Sequence, residues 1–179
     1  MTANRRAFLQ MLRYSEGTAT TPGTKYQGYD VVVRGIVVDD QRRPVLDSKG
    51  NARLAPIELM TDFSTHPFAN GRPSKIINAH GLLSTASGGL QIKLSNWRYY
   101  GPLVGAKDFG PDNQDAIALY MINERGALGL IDAGRFDDAV ARVANLWASL
   151  PSAGYGQLEH PIDTVRSYYL AAGGTVSAS

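Results

Sequence analysis

Four glutamates stand in the 179-residue chain: Glu16, Glu58, Glu124 and Glu159. A carboxyl group held at the edge of a groove is a simple device for splitting a glycosidic bond, because it can lend a proton to the leaving oxygen. Glu16 has the setting for that work. It closes an apolar-periodic stretch, Gly17 follows it, and a polar loop and a β-rich region come next. An acid placed there must keep its proton near neutral pH. Partial burial and the negative end of a helix dipole both disfavour the carboxylate. Taken alone the pattern is weak, since a glutamate at a helix end is ordinarily a solvated surface residue.

Other chemistries find less support. The chain has no cysteine, which removes a disulfide framework, a thiolate metal site and a cysteine nucleophile together. Its histidines, His66, His80 and His160, lack the close spacing with a carboxylate that a zinc peptidase needs, so no metal and no cofactor is expected. His66, just before Pro67, reads as structural. Neither a Gly-x-Ser-x-Gly elbow nor a phosphate-binding glycine loop occurs. The net charge of +2 gives only a mild pull toward any anionic surface and does not choose among cell wall, nucleic acid and lipid.

The elements that must position Glu16 follow from periodicity. Residues 4 to 15 carry Phe8, Leu9, Met11 and Leu12 at helical spacing, with Asn4 as the expected N-cap and Gly17 as the stop. Thr18 to Gly28 is turn-rich and reads as a loop. From Tyr29 to about Met60 the Val and Ile content rises. Two short runs flank Arg34-Gly35, which reads as a tight hairpin, and Asp47-Ser-Lys-Gly-Asn reads as a second turn. Helices are expected over Leu90 to Tyr100, from Pro111 through Ile122, over Ala127 to Ile131, from Phe136 to Leu150, and from Pro161 to Ala172. Trp97 and Trp147 fall in apolar patterns and read as core. The order is helix, small antiparallel β-region, helices: an α+β chain, mostly helical, forming one domain over residues 1–179. No run of ~18 apolar residues occurs, so no membrane span is expected. Gln10 and Arg13 interrupt the N-terminal apolar stretch, so it does not read as a signal peptide and a cytoplasmic location is expected.

A resemblance sharpens this reading. Ala7-Phe-Leu-Gln-Met-Leu-Arg-Tyr-Ser-Glu-Gly-Thr is similar to the lambda-type endolysins of glycoside hydrolase family 104, within the lysozyme-like superfamily. The similarity resumes at Gly28-Tyr-Asp-Val, Thr61-Asp-Phe-Ser-Thr-His-Pro, Ser84-Thr, Lys107-Asp-Phe-Gly-Pro, Gln114-Asp-Ala and Glu124-Arg-Gly-Ala-Leu. It returns at Asn145-Leu-Trp-Ala-Ser-Leu-Pro-Ser-Ala-Gly-Tyr-Gly-Gln and at Ala171-Ala-Gly-Gly-Thr-Val. These matches are collinear across nearly the whole chain.

The resemblance implies a lysozyme-like fold whose β-region borders the cleft. It implies a lytic transglycosylase that cleaves the β-1,4 bond between N-acetylmuramic acid and N-acetylglucosamine in peptidoglycan and leaves 1,6-anhydro-muramoyl ends. The catalytic glutamate lies in Ser15-Glu16-Gly17 and serves first as general acid, then as general base, with no second carboxylate. Tyr29, Asp30, Gln91, Tyr155, Gly156 and Gln157 are the expected substrate contacts. For each tyrosine a core or surface aromatic is the competing reading. The partner is the glycan strand, not nucleic acid or a membrane. The chain is expected to be a monomer that waits in the host cytoplasm for a separate holin-type pore. A hydrolytic muramidase on the same fold, and a non-catalytic wall-binding module, are the alternatives.

Two departures stand out. The family's Gly-Arg-Tyr-Gln is here Gly88-Gly89-Leu90-Gln91, which removes a phenol near the expected cleft. Residues 36–57 form an insertion in the β-region, expected to lengthen a hairpin at the cleft edge; its charges (Asp39, Asp40, Arg42, Arg43, Lys49, Arg53) read as solvated surface.

Overall fold

In the computed structural model, which describes residues 1–154, 156 and 159–177, the first helix is fixed by what it buries. α1 (Ala3–Ser15) turns Ala7, Phe8, Leu9, Met11 and Leu12 inward, none more than 1% exposed. Burying one large apolar side chain is worth ~1.5–3 kcal/mol, against ~1 kcal/mol for an N-cap, so packing outweighs capping here. The cap itself is Thr2, whose Oγ1 accepts from the Arg5 amide at 3.3 Å, and not the expected Asn4. Asn4 has tertiary work instead: its amide donates to the Ile131 carbonyl at 3.0 Å and its oxygen accepts from the Thr175 amide at 3.0 Å.

The β-region is slight. β1 (Val31–Val32) pairs antiparallel with β2 (Glu58–Leu59), and β3 (Lys75–Ile76) with β4 (Leu83–Ser84). Arg34-Gly35 is not the expected hairpin turn. The chain runs straight on from β1 into an arm, where Ile36 faces Leu54, Val38 faces Pro44 and Leu46 faces Ala52. Three amides close a ring of bonds between its segments: Val37 to Arg53, Arg53 to Val45, and Val45 to Val37, at 2.7–3.0 Å. The expected turn at Asp47–Asn51 is present, with Asp47 accepting the Lys49 and Asn51 amides. Glu58 ties the arm's base to β3, meeting Arg72 at 2.6 and 2.7 Å and Lys75 at 2.8 Å. These cations hold its carboxyl well below the usual range, at about 2.

The remaining helices are α2 (Leu94–Leu103), α3 (Pro111–Glu124), α4 (Leu128–Asp132), α5 (Phe136–Val143) and α6 (Ile162–Ala171). α1 packs on α4 and α6, and Phe8 meets the rings of Phe136, at the start of α5, and Tyr169, on α6, at 6.0 and 6.3 Å. Two helices differ from expectation. α2 starts four residues late, because residues 88–92 form a tight turn with Ser87 paired to Ile92 and Gln91 at φ 48°. α5 ends at Val143 and a 3-10 turn (Ala144–Leu146) follows it. Trp147 then goes extended, its indole donating to the Leu90 carbonyl at 2.9 Å. That bond links two loops, and it is what releases residues 147–150 from the helix to face α1. Both tryptophans pack as expected, Trp147 within the core and Trp97 against it.

One buried cation organises the centre. Arg13, in the last turn of α1, is only 6% exposed. Its guanidinium lies 4.5 Å from the Tyr29 ring centroid and donates to the Tyr29 hydroxyl at 2.5 Å, and that hydroxyl donates to Asp115 at 2.7 Å. The Arg13 stem fills the space beside Gly89, where an added Cβ would come within 2.6 Å of Arg13 Cδ. Gly89 is the position at which the family pattern has arginine. A guanidinium arriving from α1 has taken the room that a side chain at 89 would need. Exchanging the two should therefore couple: Arg13→Ala and Gly89→Arg are each destabilising, and the double variant recovers at least ~1 kcal/mol relative to their sum. Urea unfolding of the four chains measures this, and strict additivity would refute it.

Candidate active site

Glu16 is the C-cap of α1, its amide still bonded to the Leu12 carbonyl at 2.9 Å. Gly17 then turns the chain with φ 71°, a left-handed conformation that glycine adopts at little cost. The residue keeps partial exposure through the mouth of a groove, while its carboxyl is closely surrounded by protein. That groove is a cavity of about 340 Å³. Ile77, Leu82, Leu83 and Ser84 of the β3–β4 hairpin form one wall, and Gln91, Lys93, Trp147 and Ala148 line the rest. One neighbouring cavity shares Leu83, Ser84 and Lys93 with it and another shares Gln91, Lys93, Leu146 and Trp147, so the groove extends beyond the cavity that holds Glu16. Residues 36–57, expected at the cleft edge, do not line this cavity; the β3–β4 hairpin does.

Burial raises the Glu16 pKa above the ordinary 4.5, with the Ser149 side chain, the Ser149 amide and His160 opposing it in that order. Ser149 Oγ lies 2.5 Å from Glu16 Oε1 and 3.1 Å from Ser15 Oγ. His160 braces this corner: its amide donates to the Ser149 carbonyl at 2.9 Å and its Nε2 to the Ser15 carbonyl at 3.0 Å. The other glutamates are occupied elsewhere. Glu58 is ion-paired, Glu124 accepts from the Tyr100 hydroxyl at 2.7 Å, and Glu159 accepts the Ser152 and Gly154 amides at 2.8 Å each.

The expected contact residues separate. Gln91 lies on the groove with Glu16. Tyr29 and Asp30 do not: they are 9% and 2% exposed. Tyr29 spends its hydroxyl on Arg13 and Asp115, and Asp30 accepts from Thr24 and from the Lys25 amide. A buried polar group must find partners within the protein, and these two have. Gly156 is exposed at φ 66°; Tyr155 and Gln157 lie outside the described residues. Leu90 is packed in the core, and it lines the neighbouring cavity but not the one that holds Glu16. His66 is structural, donating from Nε2 to the Ile92 carbonyl and accepting the Phe68 amide at Nδ1. Ser149 and Arg13 went unforeseen. A serine carries no periodic signal, and Arg13 could have been noticed only for standing four residues after Leu9, on the buried face.

Gln114 completes the support. It is wholly buried, accepts the Gly89 amide at 2.9 Å, and donates to the Tyr29 and Phe109 carbonyls at 3.1 and 2.8 Å. Its side chain pins the turn carrying Gln91, and Gly88 must be glycine there: an added Cβ would lie 2.0 Å from Gln114 Oε1.

This arrangement has known counterparts. The Endolysin family matches residues 6–176. The chain belongs to that family. The endolysin of Escherichia phage P2 is 46% identical over 171 residues, spanning 96% of this chain and 93% of that one. The endolysin of Escherichia phage lambda is 41% identical over 174 residues, spanning 96% and 92%. Bacteriophage lambda lysozyme, solved in complex with a chitohexasaccharide, superposes with a TM-score of 0.78 at 40% identity over 99% of this chain and 98% of that one. The same protein solved in a second structure gives 0.76. The fold is thus lysozyme-like, and the endolysin is a lysozyme-type glycosidase of the peptidoglycan-degrading kind.

Two stability outcomes follow. A raised pKa means that the folded chain holds the Glu16 proton more tightly than the unfolded chain. Its contribution is therefore full below 4.5 and is lost as pH rises through the folded value. Glu16→Gln should be more stable than the parent in urea at pH 8 and lose that advantage near pH 4. An equal difference at both pH values would contradict a dry carboxyl. Tyr29→Phe, which strips Arg13 and Asp115 of their shared partner, should cost ~1–3 kcal/mol and leave the KM for glycan unchanged. A raised KM would return Tyr29 to the groove.

Proposed function

We propose that this endolysin cleaves the β-1,4 bond between N-acetylmuramic acid and N-acetylglucosamine by lytic transglycosylation, with Glu16 as its sole acid and base. The observation that carries the reading is that Glu16 is the one carboxylate among the described residues lining the groove. Hydrolytic glycosidases ordinarily work with two carboxyl groups, the second activating water or attacking the sugar. A site with one lacks the second group that would activate water, which favours a nucleophile supplied by the substrate, here the muramoyl 6-hydroxyl.

The chemistry then uses Glu16 twice. Protonated, it gives its proton to the glycosidic oxygen as the bond to C1 breaks and positive charge grows on the muramoyl ring. Now a carboxylate, it takes the proton from the 6-hydroxyl as that oxygen bonds C1. The proton count closes and no water is consumed. Burial suits the first step because it keeps the acid protonated, and the Ser149 bond suits the second because it favours the carboxylate.

Gln91 offers an amide to the sugar's N-acetyl or hydroxyl groups from the groove wall, and the apolar Leu82 and Leu83 offer a face for a ring. Tyr155, Gly156 and Gln157, in the matched Gly-Tyr-Gly-Gln motif, are proposed as the remaining contacts. The lambda lysozyme complex with a chitohexasaccharide supports a groove for β-linked amino sugars. The chain is proposed to act as a monomer on glycan strands, held in the host cytoplasm until a separate holin-type pore admits it to the wall. No helix among the described residues is long and apolar enough to cross a membrane.

Mass analysis of digested peptidoglycan tests the reaction. Transglycosylation leaves anhydro ends lighter by one water than the reducing ends a muramidase leaves, so reducing ends alone would establish hydrolysis. Glu16→Gln should lose ~10²–10⁴-fold in kcat; undiminished wall activity would mark a binding module. The alkaline limb of kcat/KM should fall above the usual glutamate range, because activity declines as Glu16 gives up its raised-pKa proton.

A further inference from the structure

Ser149 holds one hydroxyl hydrogen between two acceptors. Glu16 Oε1 is 2.5 Å away and Ser15 Oγ is 3.1 Å away. Ser15 cannot return the bond with its own hydrogen while that hydrogen is committed to the Leu12 carbonyl at 3.0 Å, a group that only accepts. The direction is therefore set by the backbone: Ser15 accepts, Ser149 donates, and Ser149 must choose. Its position is not left to chance, since its carbonyl is tied to the His160 amide and the His160 ring is tied to the Ser15 carbonyl. Three groups that move independently in an open chain are locked into one corner.

We propose that Ser149 is a positioning residue whose hydroxyl follows the protonation of Glu16, pointing to Oε1 when Glu16 is a carboxylate and to Ser15 Oγ when Glu16 is the acid and itself donates to Ser149. The inference rests on the assignment of Glu16 as acid and base. In the carboxylate state the bond is charge-assisted and stabilises the base that must collect the 6-hydroxyl proton. In the acid state the hydrogen has somewhere else to go, so no donor is left facing a donor. No proton is gained or lost by Ser149 in either state. The titratable group facing the same carboxyl is His160, on the segment leading into α6, and Lys93 lines the same cavity.

The test compares pH profiles of kcat/KM on purified peptidoglycan for the parent, Ser149→Ala, Ser149→Thr and Ser15→Ala. Ser149→Ala loses the donor that favours the carboxylate, so the alkaline limb should move up by about one pH unit. Ser149→Thr, which keeps the hydroxyl, should restore the parent limb. Ser15→Ala removes the competing acceptor and should move the limb the opposite way, to lower pH. Plain structural damage lowers the height of a profile and gives no reason for opposed shifts. Should Ser149→Ala fail to fold, the Ser15→Ala and Ser149→Thr limbs still decide. Unshifted limbs in all variants, or shifts of the same sign in Ser149→Ala and Ser15→Ala, would overturn the inference. Glu16→Gln is assayed beside them: if it is inactive while the limbs stay fixed, only the role of Ser149 falls, whereas an active Glu16→Gln removes the reading beneath it.

Discussion

A carboxyl that works as an acid near neutral pH has to be dry enough to keep its proton and open enough to reach a sugar. Glu16 meets both demands because α1 ends where it does. The helix is driven inward by Ala7, Phe8, Leu9, Met11 and Leu12, which places its last turn against residues 147–150. Gly17 then swings the chain aside, so the carboxyl is left at the mouth of the groove with protein on its other sides. Burial raises its pKa, and Ser149 and His160 oppose that rise without cancelling it. The rest of the fold holds these parties at fixed distances.

Much of that holding is done by buried polar groups. Arg13, Tyr29 and Asp115 join α1, the loop before β1 and α3 through two hydrogen bonds and a cation over a ring. Gln114, on α3, bonds the same loop before β1 and fixes the Gly88–Gln91 turn. Trp147 bonds that turn to the loop that carries Ser149. Arg13 Nε is left without a partner, a cost that the remaining bonds must offset, but bonds of this kind between distant segments specify a single arrangement. Here the arrangement specified is the separation of Gln91 from Glu16 across the groove.

How much of this the sequence revealed depends on the range of the interactions. α1, its stop at Gly17, Pro111 at the start of α3 and the turn at Asp47–Asn51 are local, written in periodicity and turn chemistry, and they stand as expected. Glu16 was legible through the resemblance around Ser15-Glu16-Gly17, not through its own environment. Other features depend on distant partners. α5 ends at Val143 because Trp147 bonds to Leu90 across the fold. Asn4 gives up the cap for partners at Ile131 and Thr175. Tyr29 and Asp30 matched the family motif, yet their hydroxyl and carboxylate are consumed inside the protein. A conserved-looking motif marks residues that matter and does not separate those that touch substrate from those that hold the frame.

The central claim is physical: the protein holds the Glu16 carboxyl in a setting that favours its acid form. Its most direct test is a ¹³C NMR titration of that side chain in the folded chain, assigned by its disappearance in Glu16→Gln. The account predicts a midpoint above 4.5, with Glu58, held by its ion pairs, titrating far below it at about 2 in the same sample. A Glu16 midpoint at or below 4.5 would contradict it.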